Sequence, residues 1–300
     1  MKDVILEGIS KSYGKEEKPA VQDISLEVEA GELFGLIGPD GAGKTTLFRI
    51  LTTLLLADSG RAKVNGYDVV NDYKTIRSKI GYMPGKFSLY QDLTVLENLN
   101  FFANIFQTSI SENYELIKDI YVQIEPFKDR RAGKLSGGMK QKLALCCALI
   151  HRPTVLFLDE PTTGVDAVSR KEFWEMLKRL KEQGITIMVS TPYMDEASLC
   201  EKIALIQEGE ILSVNTPEKI ITEFPKKLFA VSSNEMGRLL KELRASELVD
   251  SSNAFGNVHH VTLRDDNVKL KEDLLKSLSM KDVTMLTIEP TIEDCFINLM

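Results

Sequence analysis

The sequence is short of the features that would place it in several common classes. No apolar run approaches the ~18–20 residues of a membrane-spanning helix, so the chain is not expected to cross a bilayer itself. Met1-Lys2-Asp3 leads straight into a strand-like apolar stretch, and no secretory leader is expected there. Basic residues are not in excess. The 37 Lys and Arg against 44 Asp and Glu leave a formal net charge of -7, which argues against a general nucleic-acid binder. Cysteines are few, and Cys146, Cys147, Cys200 and Cys295 lack metal-ligand spacing. Cys146 and Cys147 sit in an apolar helix-like run as core thiols, and a reduced, cytosolic protein is the simplest reading. His259 and His260 have no acid or cysteine at ligand spacing. They read as one inward and one outward residue of a strand.

Against these absences, 43% apolar and 27% charged residues describe a soluble globular chain, and 300 residues have room for two domains. One stretch organises the rest: Gly38-Pro39-Asp40-Gly41-Ala42-Gly43-Lys44-Thr45-Thr46. It fits G-x-x-x-x-G-K-[ST], a loop that cradles phosphates. Glycines let backbone N–H groups turn inward as an anion-binding nest, and the positive end of the following helix adds to the field. Lys44 is placed to reach the terminal phosphates of a nucleotide and the Thr45 hydroxyl to ligate Mg²⁺. The flanks agree. Leu33 to Ile37 is a short apolar run, as a buried strand requires, and Leu47, Ile50, Leu51 and Leu54 recur at helical spacing.

Strand-like alternation at Val4 to Ile9 and Ile24 to Val28 predicts a half-buried sheet ahead of that loop. Tyr13 falls in a loop between them, and the Lys15 to Lys18 charges read as a solvated turn. The helix after the phosphate loop is expected to run to Leu56, with Asp58-Ser59-Gly60 as its stop. Asn65-Gly66 predicts a hairpin. Tyr73 to Ser78 reads as a short helix and Ile80 to Met83 as a strand. From Pro84 to about Arg131 the periodicity is helical, an insertion between sheet elements. Its Phe and Tyr residues are read as core, with a partner-facing groove as the alternative. Strand, helix and strand resume at Thr154 to Leu158, Phe173 to Leu180 and Ile185 to Val189, the α/β alternation. Phe224-Pro225-Lys226-Lys227 looks like a boundary. Beyond it lie strand-like stretches at Leu228 to Val231, His259 to Leu263 and Val283 to Ile288. Helical ones at Glu235 to Leu243, Val268 to Leu278 and Thr291 to Leu299 alternate with them, as in a small appended domain.

Two further motifs carry chemistry. Val155 to Leu158 is an apolar strand ending in Asp159 and Glu160. A strand buried on both faces delivers such acids to its carboxyl edge, beside the phosphate loop. Asp159 is then placed to hold a Mg²⁺ shell and Glu160 to face an attacking water as base. Leu135-Ser136-Gly137-Gly138-Met139-Lys140-Gln141 opens a helix behind a serine N-cap, with two glycines that bare backbone N–H groups.

With these residues in place, the sequence resembles the nucleotide-binding subunit of ATP-binding-cassette (ABC) transporters, most of all the ATPase subunits of multidrug-type exporters. The resemblance runs from Met1 to about Thr222. It rests on the phosphate loop, on Leu135 to Gln141, on the strand ending in Asp159-Glu160, and on Pro161 to Asp166. Glu289 to Asp294 also looks like the C-terminal extension of that subgroup. The implied fold is α/β, a P-loop cassette with an antiparallel β part and a helical insertion at about 85–150. That cassette would span 1–224, with a small C-terminal α/β accessory domain at 225–300. The implied ligands are ATP, along Gly38 to Thr46, and Mg²⁺ on Thr45 and Asp159, with Glu160 as catalytic base. The resemblance implies that Tyr13 stacks on adenine and that Ser136, Gly137 and Gly138 meet the γ-phosphate of an ATP held by a second cassette. Gly164-Val165-Asp166 would cross that dimer interface. Transmembrane permease subunits are the other implied partners, on the cytoplasmic face of a membrane; no nucleic acid is expected.

Two positions depart from the family pattern. Gly85 stands where Gln is usual after the Ile80 to Pro84 strand, and Pro192 stands where His is usual after Val189-Ser190-Thr191. Both remove a polar group from the γ-phosphate neighbourhood. The expected function is ATP-driven transport, export above all. The alternatives are a hydrolysis-impaired binding switch or partner cassette, and a soluble ABC ATPase outside transport.

Overall fold

The computed structural model describes residues 1–14, 18–265 and 268–300. Lys15 to Glu17 of the expected charged turn lie outside them. The described chain divides into two compact units, Met1–Pro217 and Glu218–Met300. The division falls ahead of Phe224-Pro225. Ile220 is buried, and its carbonyl accepts from Cys295 Sγ at 3.5 Å, which ties that turn of helix to the second unit.

In chain order the first unit runs β1 (Lys2–Lys11), β2 (Val21–Glu29), β3 (Leu33–Ile37), α1 (Lys44–Leu51), β4 (Ser59–Val64), β5 (Tyr67–Asp68), α2 (Tyr73–Lys79) and β6 (Ile80–Met83). The insertion follows as α3 (Val95–Ile105), α4 (Tyr114–Tyr121) and α5 (Gly137–Leu149). Then come β7 (Val155–Asp159), α6 (Ala167–Glu182), β8 (Thr186–Thr191), β9 (Lys202–Gln207) and β10 (Glu210–Asn215). Two sheets result. One has the order β2-β1-β4-β5 with antiparallel pairing. The other has the order β10-β9-β3-β8-β7-β6, in which β9, β3, β8, β7 and β6 are parallel.

The sequence explains the difference. Every residue of β3, β7 and β8 is buried, as expected of parallel strands covered on both faces, whereas β2 alternates buried and exposed. Val4, Leu6, Ile24 and Val28 of the first sheet share one core with Phe34, Leu47, Phe48 and Phe157 of the second. The parallel arrangement brings the carboxyl ends of β3, β7 and β8 to one edge, which is where a doubly covered sheet binds its ligand.

The helix after the phosphate loop is shorter than its apolar spacing predicts. It ends at Leu51, not Leu56. The Thr52 hydroxyl folds back to the Phe48 carbonyl at 2.7 Å, and Thr53 turns to a φ of 63°, which leaves Leu54 and Leu56 exposed. Within the insertion, Thr94 and Glu97 close a capping box on α3. Asn98, fully buried, pins the preceding turn through Tyr90 and Thr94. The aromatic residues here are not mainly core. Tyr121 is buried, but Phe87, Phe102 and Phe106 line a groove with Met83, Pro84 and Leu89.

The second unit holds most of α7 (Pro217–Thr222), then β11 (Leu228–Ser232), α8 (Met236–Ala245), β12 (Val249–Phe255), β13 (Val258–Leu263), α9 (Val268–Ser277), β14 (Thr284–Ile288) and α10 (Ile292–Leu299). Its sheet has the order β12-β13-β11-β14, all antiparallel. Strand β12 has no counterpart in the sequence pattern: Asp250, Ser251, Ser252 and Asn253 are poor strand formers, and the edge position tolerates them. His259 and His260 are both buried, not one in and one out. Successive side chains leave opposite faces of a strand, and here each face is covered. His259 Nε2 bonds the Met236 carbonyl on α8, and His260 Nδ1 bonds Asp294 Oδ1 on α10 at 2.7 Å.

Candidate functional site

The loop between β3 and α1 is forced into its path by close approach. A side chain at Gly38 would place its Cβ 2.1 Å from the Ile206 carbonyl oxygen. At Gly43, φ is 104° and a Cβ would lie 2.4 Å from the Ala20 carbonyl oxygen. Only glycine fits both places. The loop that results wraps the Lys44 ammonium, which is buried and donates to the carbonyls of Gly38 at 2.7 Å and Pro39 at 2.9 Å.

The ends of β7 and β8 then supply the remaining groups. Asp159, last residue of β7, is buried. Its Oδ1 accepts from Thr45 Oγ1 at 3.2 Å and from Ser190 Oγ at 2.6 Å. Glu160 leaves the strand at a left-handed φ of 50°, which turns its side chain toward the loop, and its Oε1 lies 3.4 Å from Lys44 Nζ. The Glu160 N–H is held by the Ser190 carbonyl at 3.0 Å. Burial, with Asp159 nearby as a second cause, pushes the Tyr82 phenol up to about 12.

One depression is lined by Tyr13, Ala20, Gly41, Gly43, Lys44, Thr45, Thr46 and Glu160. Tyr13 is 57% exposed, and its hydroxyl meets Thr46 Oγ1 at 3.2 Å. Pro39 and Asp40 form the outer turn of the loop, Asp40 exposed; Ala42 is buried beneath it. Ser136, Gly137 and Gly138 do not line this depression. Ser136 N-caps α5, accepting from the Met139 N–H. Gly137 and Gly138 rest on the segment that starts α6. A Cβ at Gly138 would meet Ser169 Oγ at 2.8 Å, and one at Gly137 would meet the Gly164 carbonyl oxygen at 3.3 Å. Asp166 N-caps α6, and the Ser169 N–H holds its carboxyl below the usual range.

Gly85 lies where its departure matters. A Cβ there would sit 3.1 Å from the Asp159 carbonyl oxygen and 3.8 Å from Glu160 Cβ. Pro192 directly follows Thr191, whose carbonyl accepts from the Gly38 N–H at 3.2 Å.

The sequence pattern did not single out Ser190 or Glu196. Ser190 holds Asp159 and is fully buried. Glu196 is 2% exposed and accepts from Thr162, Thr191 and Arg170. The available signal was two hydroxyls, Ser190 and Thr191, ending an apolar strand, where a buried hydroxyl needs a partner.

The arrangement can bind a polyphosphate. Its hard oxygen donors on Thr45 and Asp159 suit Mg²⁺, and among the described residues no group of three or more His, Cys, Asp or Glu forms another metal cluster. No described helix is long and apolar enough to cross a membrane.

The ABC transporter family model matches residues 21–163. A probable multidrug ABC transporter ATP-binding protein of Escherichia coli is 38% identical over 299 residues, covering 99% of this chain and 52% of that protein. The chain thus spans about half the length of that relative. The linearmycin resistance ATP-binding protein of Bacillus subtilis is 32% identical over 308 residues, covering 98% of this chain and 96% of that protein. Among solved structures, a dimeric bacterial ABC transporter cassette matches with a TM-score of 0.64 at 27% identity, over 71% of this chain and 98% of that one.

Proposed function

The chain belongs to the ATP-binding subunits of ABC transporters, and from that premise we propose that it binds and hydrolyses ATP to drive an exporter. The observation that carries the reading is convergence. Lys44 and Thr45 open α1, and Asp159 and Glu160 lie at the end of β7, more than a hundred residues on, yet Thr45 Oγ1 lies 3.2 Å from Asp159 and Lys44 Nζ 3.4 Å from Glu160.

In this reading the nest of Gly38 to Thr46 and the Lys44 ammonium hold the phosphates. Thr45 and Asp159 hold Mg²⁺, which supplies charge neutralisation on the phosphates when bound. Glu160 takes the proton of an attacking water, and the Tyr13 ring stacks on the adenine of the nucleotide. A facing cassette, identical or not, presents its own counterpart of Ser136, Gly137 and Gly138, and Gly164 to Asp166 lie along that interface. The groove at Phe87, Phe102 and Phe106 is the surface offered to a helix of a transmembrane permease subunit, which would hold the chain on the cytoplasmic face of the membrane. Two features support it: the groove is apolar and open, and it adjoins Pro84 and Gly85 beside the catalytic acids. The unit from Glu218 is an accessory domain. A second reading, an ATP-driven binding switch with impaired hydrolysis, is favoured by Gly85 and Pro192 alone.

Binding of a fluorescent ATP analogue to wild type and Lys44→Ala tests the site. A strong loss of affinity is expected, because the lost hydrogen bonds are charge-assisted. Unchanged affinity would remove the assignment.

A further inference from the structure

Glu196 lies in the 3-10 turn Met194–Leu199, outside the depression described above, and it is 2% exposed. A buried carboxylate must be neutralised and must fill its acceptor positions. Glu196 does both with groups from three elements. Its Oε1 accepts from Thr162 Oγ1 at 2.8 Å and from Arg170 Nε at 3.2 Å, with Arg170 Nη2 at 3.1 Å. Its Oε2 accepts from Thr191 Oγ1 at 2.5 Å. Thr162 and Thr191 are themselves buried, so no water replaces either bond.

What these partners belong to gives the carboxylate its meaning. Thr191 receives the first amide of the phosphate loop on its carbonyl and the Tyr193 N–H on its hydroxyl, which closes the turn around Pro192. Thr162 lies two residues past Glu160, in the segment that leads through Gly164 to α6. That segment carries Gly137 and Gly138 of α5 on its outer side. Arg170 lies over the Tyr193 ring, 4.3 Å from its centroid, and also reaches Asp195, so the charge is held from both sides.

We infer that Glu196 is a positioning residue: its one carboxylate locks the Thr191–Pro192 turn to the Thr162–Asp166 segment, so that the two move as a unit. A displacement of the turn at the phosphate loop then reaches the base of Glu160 and the floor under Gly137 and Gly138. The catalytic consequence rests on the function proposed above; the mechanical coupling does not.

The test uses the full chain with Thr162→Val, Thr191→Val, the double variant and Glu196→Gln. Each threonine variant removes one hydroxyl and leaves the Arg170–Glu196 pair intact, so folding is retained even if Glu196→Gln fails to fold. Hydrogen exchange is followed at amides 163–166 and 193–196. Removal of either hydroxyl is expected to speed exchange about tenfold in both segments, and the double variant is expected to add little, as for groups that act as a unit. Exchange that rises only in the segment carrying the substitution overturns the coupling. In steady-state hydrolysis, kcat is expected to fall about tenfold with KM for ATP within about twofold, the pattern of a lost transition-state arrangement. Coupled exchange with unchanged kcat overturns the positioning role. A wild type that releases no phosphate refutes the proposed hydrolysis instead, and exchange still decides the coupling.

Discussion

Ser190→Ala is the sharpest test of how Asp159, the carboxylate proposed to hold Mg²⁺, is kept in place. The Ser190 hydroxyl donates to Asp159 Oδ1 at 2.6 Å, and both residues are buried, so water cannot take its place. A bond of that length from a neutral hydroxyl to a carboxylate is charge-assisted. Hydrogen bonds to charged groups contribute about 1.5–3 kcal/mol, and that is the expected loss of stability. In a unit of this size about 1 kcal/mol corresponds to about 2–4 °C, so Tm is expected to fall by about 3–12 °C. The backbone does not follow. Glu160 N–H keeps the Ser190 carbonyl at 3.0 Å, and Asp159 keeps Thr45 at 3.2 Å. The loss then falls on one carboxylate oxygen and on the second acceptor of the Glu160 N–H, Ser190 Oγ at 3.1 Å, whose carbonyl acceptor remains. Groups that orient a metal ligand are worth about 10–100-fold in metal affinity, so the Mg²⁺ concentration for half-maximal nucleotide binding is expected to rise within that range. Thermal unfolding and a Mg²⁺ titration of analogue binding measure the two effects. A lowered Tm with an unchanged Mg²⁺ requirement would refute the reasoning, because Asp159 would then not depend on Ser190 for its place.

Pro192→His is expected to raise phosphate release, by up to about 10²–10³-fold if the imidazole reaches the developing charge. Gly85→Gln should gain less, since its Cβ would press on the Asp159 carbonyl at 3.1 Å; steady-state rates of both variants decide. Glu160→Gln, which keeps the shape but cannot act as base, is expected to persist as a dimer in ATP and Mg²⁺, and light scattering that finds only monomer in saturating ATP, with candidate partner cassettes added, would count against a facing pair of cassettes. His151 stacks on Phe106, and burial lowers its pKa below 6.5, the Ile80 carbonyl partly opposing. The unfolded chain therefore takes up this proton first, and stability falls as pH drops from 6.5 through the lower folded value. Denaturant titrations should show wild type losing stability relative to His151→Phe over that window, and parallel curves would refute the shift.

The parts of the fold written in local pattern were legible from the residues. The apolar runs of β3 and β7, the glycines of Gly38 to Gly43 and the acids after Leu158 each follow from spacing and residue type. Helix α1 was misjudged because Leu54 continues the helical spacing, while the stop comes from Thr52 bonding back to Phe48, a choice made by the backbone. Strand β12 was invisible because pairing with β13 overrides the poor propensity of Asp250 to Asn253. The burial of both His259 and His260 depends on distant elements covering each face of the sheet, Met236 of α8 meeting His259 and Asp294 of α10 meeting His260. Glu196 was hidden for the same reason. Nothing local to Met194-Asp195-Glu196 marks it as buried, and its partners Thr162, Arg170 and Thr191 meet it only in the folded chain.

The central claim is that Glu160, beside Lys44 and Asp159, makes this chain an ATPase despite Gly85 and Pro192. Steady-state phosphate release from wild type, Lys44→Ala and Glu160→Gln, with membrane partners present, tests it most directly. Slow but measurable release is expected from wild type. A general base contributes about 10²–10⁴-fold, so Glu160→Gln is expected to fall by at least about 10²-fold, and Lys44→Ala to fail with lost binding. A wild type no faster than Glu160→Gln would contradict the claim and leave an ATP-binding switch.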